Sequence, residues 1–211
     1  MTSVINRLST SLGRRDETPN QELANQIVSN TDKKAVEELI QLLKNHKDKS
    51  IQNDCIKVLY EVGEQNPKLI AIYIQYFADL LDSKNNRLVW GAMTALDTIT
   101  VSNPESVVKL LPLILDTVEK GSVITNDRAV GIFIKLASHD KYAESAFPLL
   151  FEQLLICPTK QLPMYAERAF VVVNESQKSR FMEILFERIE ECDKQSEKKR
   201  ISKVLMKATR I

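Results

Sequence analysis

One triplet in this chain has the residue types of a hydrolase, but its spacing argues against that chemistry. Ser138, His139 and Asp140 are consecutive, whereas a nucleophile, its base and the acid that orients the base converge from separate parts of a fold. We interpret the triplet as a turn in which Asp140 caps the next helix. The other histidine, His46, is remote in sequence, and no carboxylate spacing around the two histidines predicts a metal site.

Motifs for other enzyme chemistries are absent from the sequence. There is no Gly-rich phosphate loop, CxxC pair, HExxH motif or G-x-S-x-G elbow. Cys55, Cys157 and Cys192 share no short spacing, which favours buried thiols in a reducing compartment. No apolar run approaches the ~18 residues of a membrane span. We therefore expect a cytoplasmic protein without catalytic activity, cofactor or metal.

A pattern of small and apolar residues repeats every 37 residues along the chain. It predicts the helices that would position any site. A small residue is followed after four positions by a large apolar residue, and after three more by another. A fixed period of this size predicts stacked helical units that bury their apolar faces only against one another. The three columns are Cys55, Ala92, Ala129 and Ala166, then Leu59, Leu96, Phe133 and Phe170, then Val62, Ile99, Leu136 and Val173.

Each repeat is predicted to contain two helices, because the same punctuation recurs in register. Asn103-Pro104 separates two apolar-periodic segments, and Asn66-Pro67 does so one period earlier. Within the first helix of that repeat, Ala92 should lie at a close helix contact and Thr94 should face outward. The predicted pairs are near 49–82, 86–119, 123–156 and 160–191, with a less regular pair near 20–45 and a last helix near 195–210.

The first-helix pattern Leu88-x3-Ala92-x2-Ala95-Leu96-x2-Ile99 resembles a HEAT repeat. The segments Leu110–Ile114 and Phe147–Phe151 are similar to the second helix of that family, and the resemblance covers about residues 49–192. The chain departs from the family at Val89, where an arginine is often found. An armadillo-like assignment remains an alternative. The resemblance implies an all-α, right-handed α-solenoid of about five HEAT-like helix pairs with terminal capping helices.

We predict a single HEAT-like repeat domain over residues 1–211. Residues 1–18 form an N-terminal cap or tail, 19–192 the helix-pair repeats and 193–211 a C-terminal capping helix. The first 15 residues are basic, rich in Ser and Thr and free of acids, which is also the composition of a mitochondrial presequence. Both interpretations of this segment remain open.

The second helices of this family line the concave side of the solenoid, so their outward columns are candidate binding residues. We name one set the acidic edge. These acids lie near helix C-termini, where negative charge is mildly unfavourable, so helix stability does not explain them. The acidic edge is Asp79, Asp82, Asp116 and Glu119, beside a partly apolar strip of Gln75, Leu149 and Phe186, with Trp90 as a possible contact anchor.

The last predicted helix has the opposite charge. Residues 194–211 contain seven cations and one acid, a net charge of +6. Such a face suits phosphate or an acidic protein, but no aromatic residue is interleaved for base stacking. The candidate contacts with an anionic partner are Lys198, Lys199, Arg200, Lys203 and Lys207.

The function that these features favour is a non-enzymatic scaffold, monomeric, that binds a basic or amphipathic protein segment on the concave face. One alternative is a nucleic-acid-binding protein resembling the alkylpurine DNA glycosylases, which need a cationic channel with aromatic residues. The predicted acidic face argues against that alternative. Another is a lyase- or chaperone-type accessory protein, for which no apolar pocket signature is present.

Overall fold

The computed structural model describes residues 3–210, and within that range every regular element is helical. The predicted all-α fold is therefore confirmed. None of these helices is long and apolar enough to cross a membrane. The α-helices are α1 (Thr18–Asn30), α2 (Lys33–Asn45), α3 (Lys49–Gln65), α4 (Ile74–Asp79), α5 (Asn86–Thr100), α6 (Pro104–Lys109), α7 (Leu111–Lys120), α8 (Val123–Ala137), α9 (Asp140–Ile156), α10 (Leu162–Ala169), α11 (Glu175–Ile189) and α12 (Gln195–Ala208).

Side-chain caps begin several helices, although of the two predicted Asn-Pro sites only Asn103 caps a helix through its side chain and Asn66 does not. Each cap accepts a hydrogen bond from a first-turn N–H that has no partner within the helix. The caps are Asp32 for α2, Asp48 for α3, Asn85 for α5 and Asn103 for α6.

Two of the predicted second helices are interrupted. The helix after Pro104 divides at Leu110 into α6 and α7. Pro112 lies in the first turn of α7, where its missing N–H needs no partner, whereas Pro148 lies inside the unbroken α9. In the preceding repeat, two 3-10 turns at 67–69 and 71–73 come before the short α4.

The chain forms two compact units that divide within α8, after Arg128. In the first unit, α3 packs against α1, α2 and α5, and α4 packs against α5. In the second unit, α9 packs against α10 and α11, and α12 covers the same two helices. The proposed division of a single domain at residues 18 and 192 stays a prediction.

The column of small residues lies where helices touch. Cys55, Ala92, Ala129 and Ala166 are all fully buried, which confirms the 37-residue register. Gly91 shows how close the helices come, because a β-carbon at this position would overlap the side chain of Ile56. The contact between α3 and α5 therefore depends on the absence of a side chain.

Thr94 does not face outward as predicted, because α5 is enclosed on more than one side. Its side chain is buried, and its hydroxyl donates to the carbonyl oxygen of Trp90 at 2.8 Å. Every residue in 91–100 is buried. Helix α5 contacts α3, α4, α6 and the 3-10 turn at 80–82. The register identifies the innermost column of a helix but not how many further faces its neighbours cover.

The N-terminal segment, predicted as a cap or a tail, packs against helices of the first unit, and we call it the strap. A single 3-10 turn covers Val4–Arg7, and Leu8 behind it is fully buried. Asp54 on α3 accepts hydrogen bonds from the backbone N–H of Thr10 at 2.7 Å and from the Asn20 side-chain amide at 2.9 Å. This polar network ties the strap to α1 and α3.

Candidate binding cleft around Trp90

Two members of the acidic edge lie where a second helix ends and the chain enters the next repeat. Asp82 ends the 3-10 turn that follows α4, and Asp116 lies in the C-terminal half of α7. Both line one cleft of about 400 Å³. Trp90, in the second turn of α5, lines the same cleft. The structure thus brings together acids and an aromatic residue that the sequence suggested separately.

One lysine, Lys120, lies beside the carboxylates of the acidic edge. Lys120 Nζ lies 2.6 Å from Asp116 Oδ1. The hydrogen bond to Asp116, with the nearby charges of Asp82 and Glu119, raises the pKa of Lys120 above its usual value. Lys120 also ends α7, where a cation is favourable to the helix dipole. Asp82, Asp116 and Glu119 carry three negative charges against the one positive charge of Lys120. This end of the cleft is therefore acidic.

The other residues of the acidic edge stand beside the cleft rather than in its wall. Asp79 is exposed on α4 and accepts a hydrogen bond from the Gln75 side-chain amide at 3.0 Å. That bond spans one helical turn, so Gln75 orients Asp79. Glu119 is exposed on α7 and contributes to the field around Lys120. The acidic edge therefore has an inner pair, Asp82 and Asp116, and two outer members.

The rest of the cleft combines apolar walls with hydroxyl groups. Leu81 and Val89 line the cleft with Trp90, and the hydroxyl of Thr117 donates to the carbonyl oxygen of Leu113 at 2.7 Å. A cation placed between an indole face and carboxylates gains both cation–π attraction and charge-assisted hydrogen bonds. The arrangement suits recognition of a long basic side chain. Among residues 3–210, no group of His, Cys, Asp or Glu is arranged to hold a metal ion.

Sequence reasoning missed a second cleft on the other side of Trp90. This cleft, of about 290 Å³, is lined by residues of α3, α5 and the start of α8. Two of the three cations that line it have ion-pair partners within the first unit. Lys57 Nζ lies 2.6 Å from Glu61 Oε1, and Arg128 lies 3.7 Å from Asp97. The i,i+4 spacing of Lys57 and Glu61 was visible in the sequence, but the contact between α5 and Arg128 required the fold.

The predicted apolar strip has members in both units. Gln75 belongs to the first unit, as described above. In the second unit, Leu149 on α9 is half-buried, and Phe186 on α11 is 56% exposed. Phe186 is therefore an accessible aromatic side chain on a second helix.

The five candidate cations of α12 are of two kinds. Arg200 makes a two-pronged contact with Glu167 on α10, with distances of 2.9 and 2.6 Å. This contact lowers the pKa of Glu167. Lys198 approaches Glu190 at 3.7 Å. Both cations thus belong to the packing of the second unit, whereas Lys199, Lys203 and Lys207 point to solvent.

The Ser-His-Asp triplet forms a turn, as predicted, although its capping residue differs. The Ser138 hydroxyl donates to the carbonyl oxygen of Lys135 at 2.7 Å and so is engaged by the backbone. His139 occupies the N-cap position of α9, and Asp140 is the first helical residue. The prediction that Asp140 caps the helix is therefore wrong by one position. Its charge still favours the helix N-terminus.

Comparison with solved structures defines the class of fold. The chain is similar to a designed armadillo repeat protein in complex with the peptide (KR)4, with a TM-score of 0.66 and 14% identity over 91% of this chain and 90% of that one. A second designed armadillo repeat protein gives a TM-score of 0.64 and 13% identity over 90% and 92% of the two chains. An engineered protein gives 0.61 and 16% over 99% and 96%.

These similarities show an armadillo/HEAT-like repeat solenoid, as the sequence pattern predicted. No protein-family model and no curated protein matches the sequence.

Proposed function

We propose that this protein is a non-catalytic scaffold that binds a basic or amphipathic segment of another protein through the cleft around Trp90. One observation carries the proposal: Asp82 and Asp116, from successive repeats, line the same cleft as the only tryptophan of the chain. A lysine or arginine side chain entering the cleft would meet carboxylates and an indole together. Tryptophan is enriched among the residues that contribute most of the binding energy at protein interfaces.

The structural neighbour solved with (KR)4 supports a basic ligand for a fold of this kind. At 14% identity the likeness is one of fold, so the argument for ligand charge rests on the cleft itself. Lys120 strengthens that argument. Its ammonium group already pairs with Asp116, and it thus stands where the cation of a ligand would bind.

The fluorescence of Trp90 tests the proposal, because no other tryptophan contributes to the signal. Titration with (KR)4 at low ionic strength should change the emission and saturate. The double variant Asp82→Lys/Asp116→Lys should weaken binding by about tenfold or more, since both wall charges change sign. Lys120→Gln should strengthen binding, because the competing internal cation is removed.

The matched control is Glu22→Lys/Glu37→Lys. It makes the same change in net charge on exposed positions of α1 and α2 that do not line the cleft. Equal weakening by both double variants, or no binding by the native protein, would overturn the proposed cleft. Tight, salt-sensitive binding of duplex DNA in place of the peptide would favour the nucleic-acid alternative.

The proposal includes a monomeric protein in the reducing cytoplasm. Cys55, Cys157 and Cys192 are free, buried thiols, which supports such a compartment. Phe186 and Leu149 are proposed to add an apolar contact for the amphipathic segment.

A further inference from the structure

The exposed face of α12 carries a row of cations, of which Lys203 and Lys207 help to lower the pKa of Glu167 without forming an ion pair with it. We name Lys199, Lys203 and Lys207, together with Arg210 just beyond the end of α12, the outer row. All four are exposed, and within the described residues none has an ion pair. The neighbouring cations Lys198 and Arg200 have already engaged Glu190 and Glu167.

The outer row lies directly opposite the buried face of its helix. Ile201, Val204, Leu205 and Ala208 pack inward. At about 100° per residue, Lys199 and Lys207 fall roughly 40° to either side of Lys203. Successive lysines at i,i+4 are about 6 Å apart along the axis. The surface is therefore a straight, narrow line of positive charge.

Helix stability does not explain this line. Like charges at i,i+4 destabilise a helix by about 0.2–0.5 kcal/mol per pair. The helix dipole favours cations only in the last turn, which accounts for Lys207 but not for Lys199. A partner that carries negative charge therefore explains the row better than helix stability does.

An apolar side chain at the border of the row indicates the class of partner. Met206 is 55% exposed, and its helical position places it about 60° from Lys203. A flexible, exposed methionine suits contact with an apolar side chain. A phosphate backbone has no such group, and α12 has no aromatic residue on which a base could stack.

We propose that the outer row docks an acidic, amphipathic α-helix of a protein partner. Carboxylates at i,i+4 on that helix repeat at the same interval as the lysines, so several pairs form at once when the two axes align. An apolar residue beside the carboxylates covers Met206. This surface lies in the second unit and is independent of the cleft around Trp90.

The test uses a labelled synthetic peptide of about 20 residues, long enough to form a helix, with Glu at i,i+4 and Leu along one edge. Fluorescence anisotropy with the full-length protein should show saturable, salt-sensitive binding. A peptide of identical composition with the Glu residues out of register should bind about tenfold more weakly or worse. A duplex DNA of equal charge should bind less tightly than the in-register peptide.

Two variants locate the binding surface. Lys199→Glu/Lys203→Glu/Lys207→Glu should abolish peptide binding, and the milder replacement of the same three lysines by Gln should weaken it with the melting curve unchanged. The control, Lys33→Glu/Lys47→Glu/Lys49→Glu, makes the same charge change at exposed positions of the first unit and should bind as the native protein does.

Met206→Ser separates the two kinds of anionic partner. It should weaken peptide binding by several-fold and leave DNA binding unchanged. Equal affinity for both peptide registers, equal loss in the control variant, or tighter binding of DNA would overturn the proposal. So would the absence of peptide binding at low salt.

Discussion

The guanidinium of Arg188 closes the C-terminal end of a neighbouring helix, since its Nη2 donates to the carbonyl oxygen of Cys157 at 2.8 Å. Its Nη1 donates to the carbonyl of Leu154 at 3.0 Å and also to that of Leu155. The last carbonyls of a helix have no partner within it, and here an arginine from α11 supplies donors for the end of α9. Arg188 is 6% exposed, so water does not replace these bonds.

We expect Arg188→Met to reduce the free energy of unfolding by roughly 2–4 kcal/mol, because buried carbonyls lose their donors. Arg188→Lys should be intermediate, since an ammonium cannot reach several carbonyls as a planar fork does. Denaturant unfolding measures both. Arg180→Met is the control on the same helix: its pair with Glu183 is exposed, and its loss should be within about 0.5 kcal/mol. Equal losses for Arg188→Met and Arg180→Met would contradict the capping role.

Ala92→Leu should destabilise the protein by roughly 1–3 kcal/mol, because the small-residue column has no space for a larger side chain. Thr94 is unsuitable as the outward control, because it is buried. The control is instead Arg87→Leu, at an exposed position in the first turn of the same helix. We expect it to change the free energy of unfolding by no more than about 0.5 kcal/mol. Thermal and denaturant melts should separate the two variants, and similar values would mean that the column is not close-packed.

Removal of residues 195–211 should expose the apolar surface of α10 and α11 that α12 covers. Ile184 and Val173 are buried, and repeat arrays need polar terminal caps for solubility. The truncated protein should aggregate or melt over a broader temperature range. Analytical ultracentrifugation and calorimetry provide the measurements. A monomeric truncation with an unchanged melting curve would show that α12 is not required as a cap.

The three thiols should be unreactive in the native protein. Burial is the main cause that raises the pKa of Cys55 to about 12 and that of Cys157 to about 11, and it also raises the pKa of Cys192. A raised pKa lowers the thiolate fraction at about pH 8, and the thiolate is the nucleophile. A chromogenic disulfide reagent should label no thiol rapidly in the native state and all three in denaturant. Rapid labelling of the native protein would contradict this burial.

The fold was largely predictable because each repeat needs small residues where helices meet and suitable residues where a helix starts. The sequence places both at the same interval. Ala92 and its column partners are small since helices meet there, and Asn103-Pro104 starts a helix since each residue suits its position. The division at Leu110 was not predictable from proline alone, because Pro112 lies at the start of α7 while Pro148 lies inside the continuous α9. The expectation that Thr94 faces outward failed for another reason: the number of helices packed around α5 is a property of the stack, which no local pattern encodes.

The candidate cleft was only partly predictable. The register placed Asp82 and Asp116 on successive second helices, but Trp90 joins them from a first helix, across the turn between repeats. Trp90 meets the two acids because of the direction in which the chain runs from one repeat to the next. The 37-residue spacing does not determine that direction. Arg188 is a similar case. On sequence alone it is one cation among many, and its burial depends on where α9 ends.

The continuous burial of residues 91–100 limits how proteins of this design can diversify. A change on that part of α5 disturbs a neighbour on nearly every face, so selection for a new partner finds few tolerated substitutions there. Exposed helix positions outside the cleft and the outer row bear no such constraint. Variation between lineages should therefore accumulate at those positions, while the inner layer changes only through compensating pairs or through gain and loss of whole repeats.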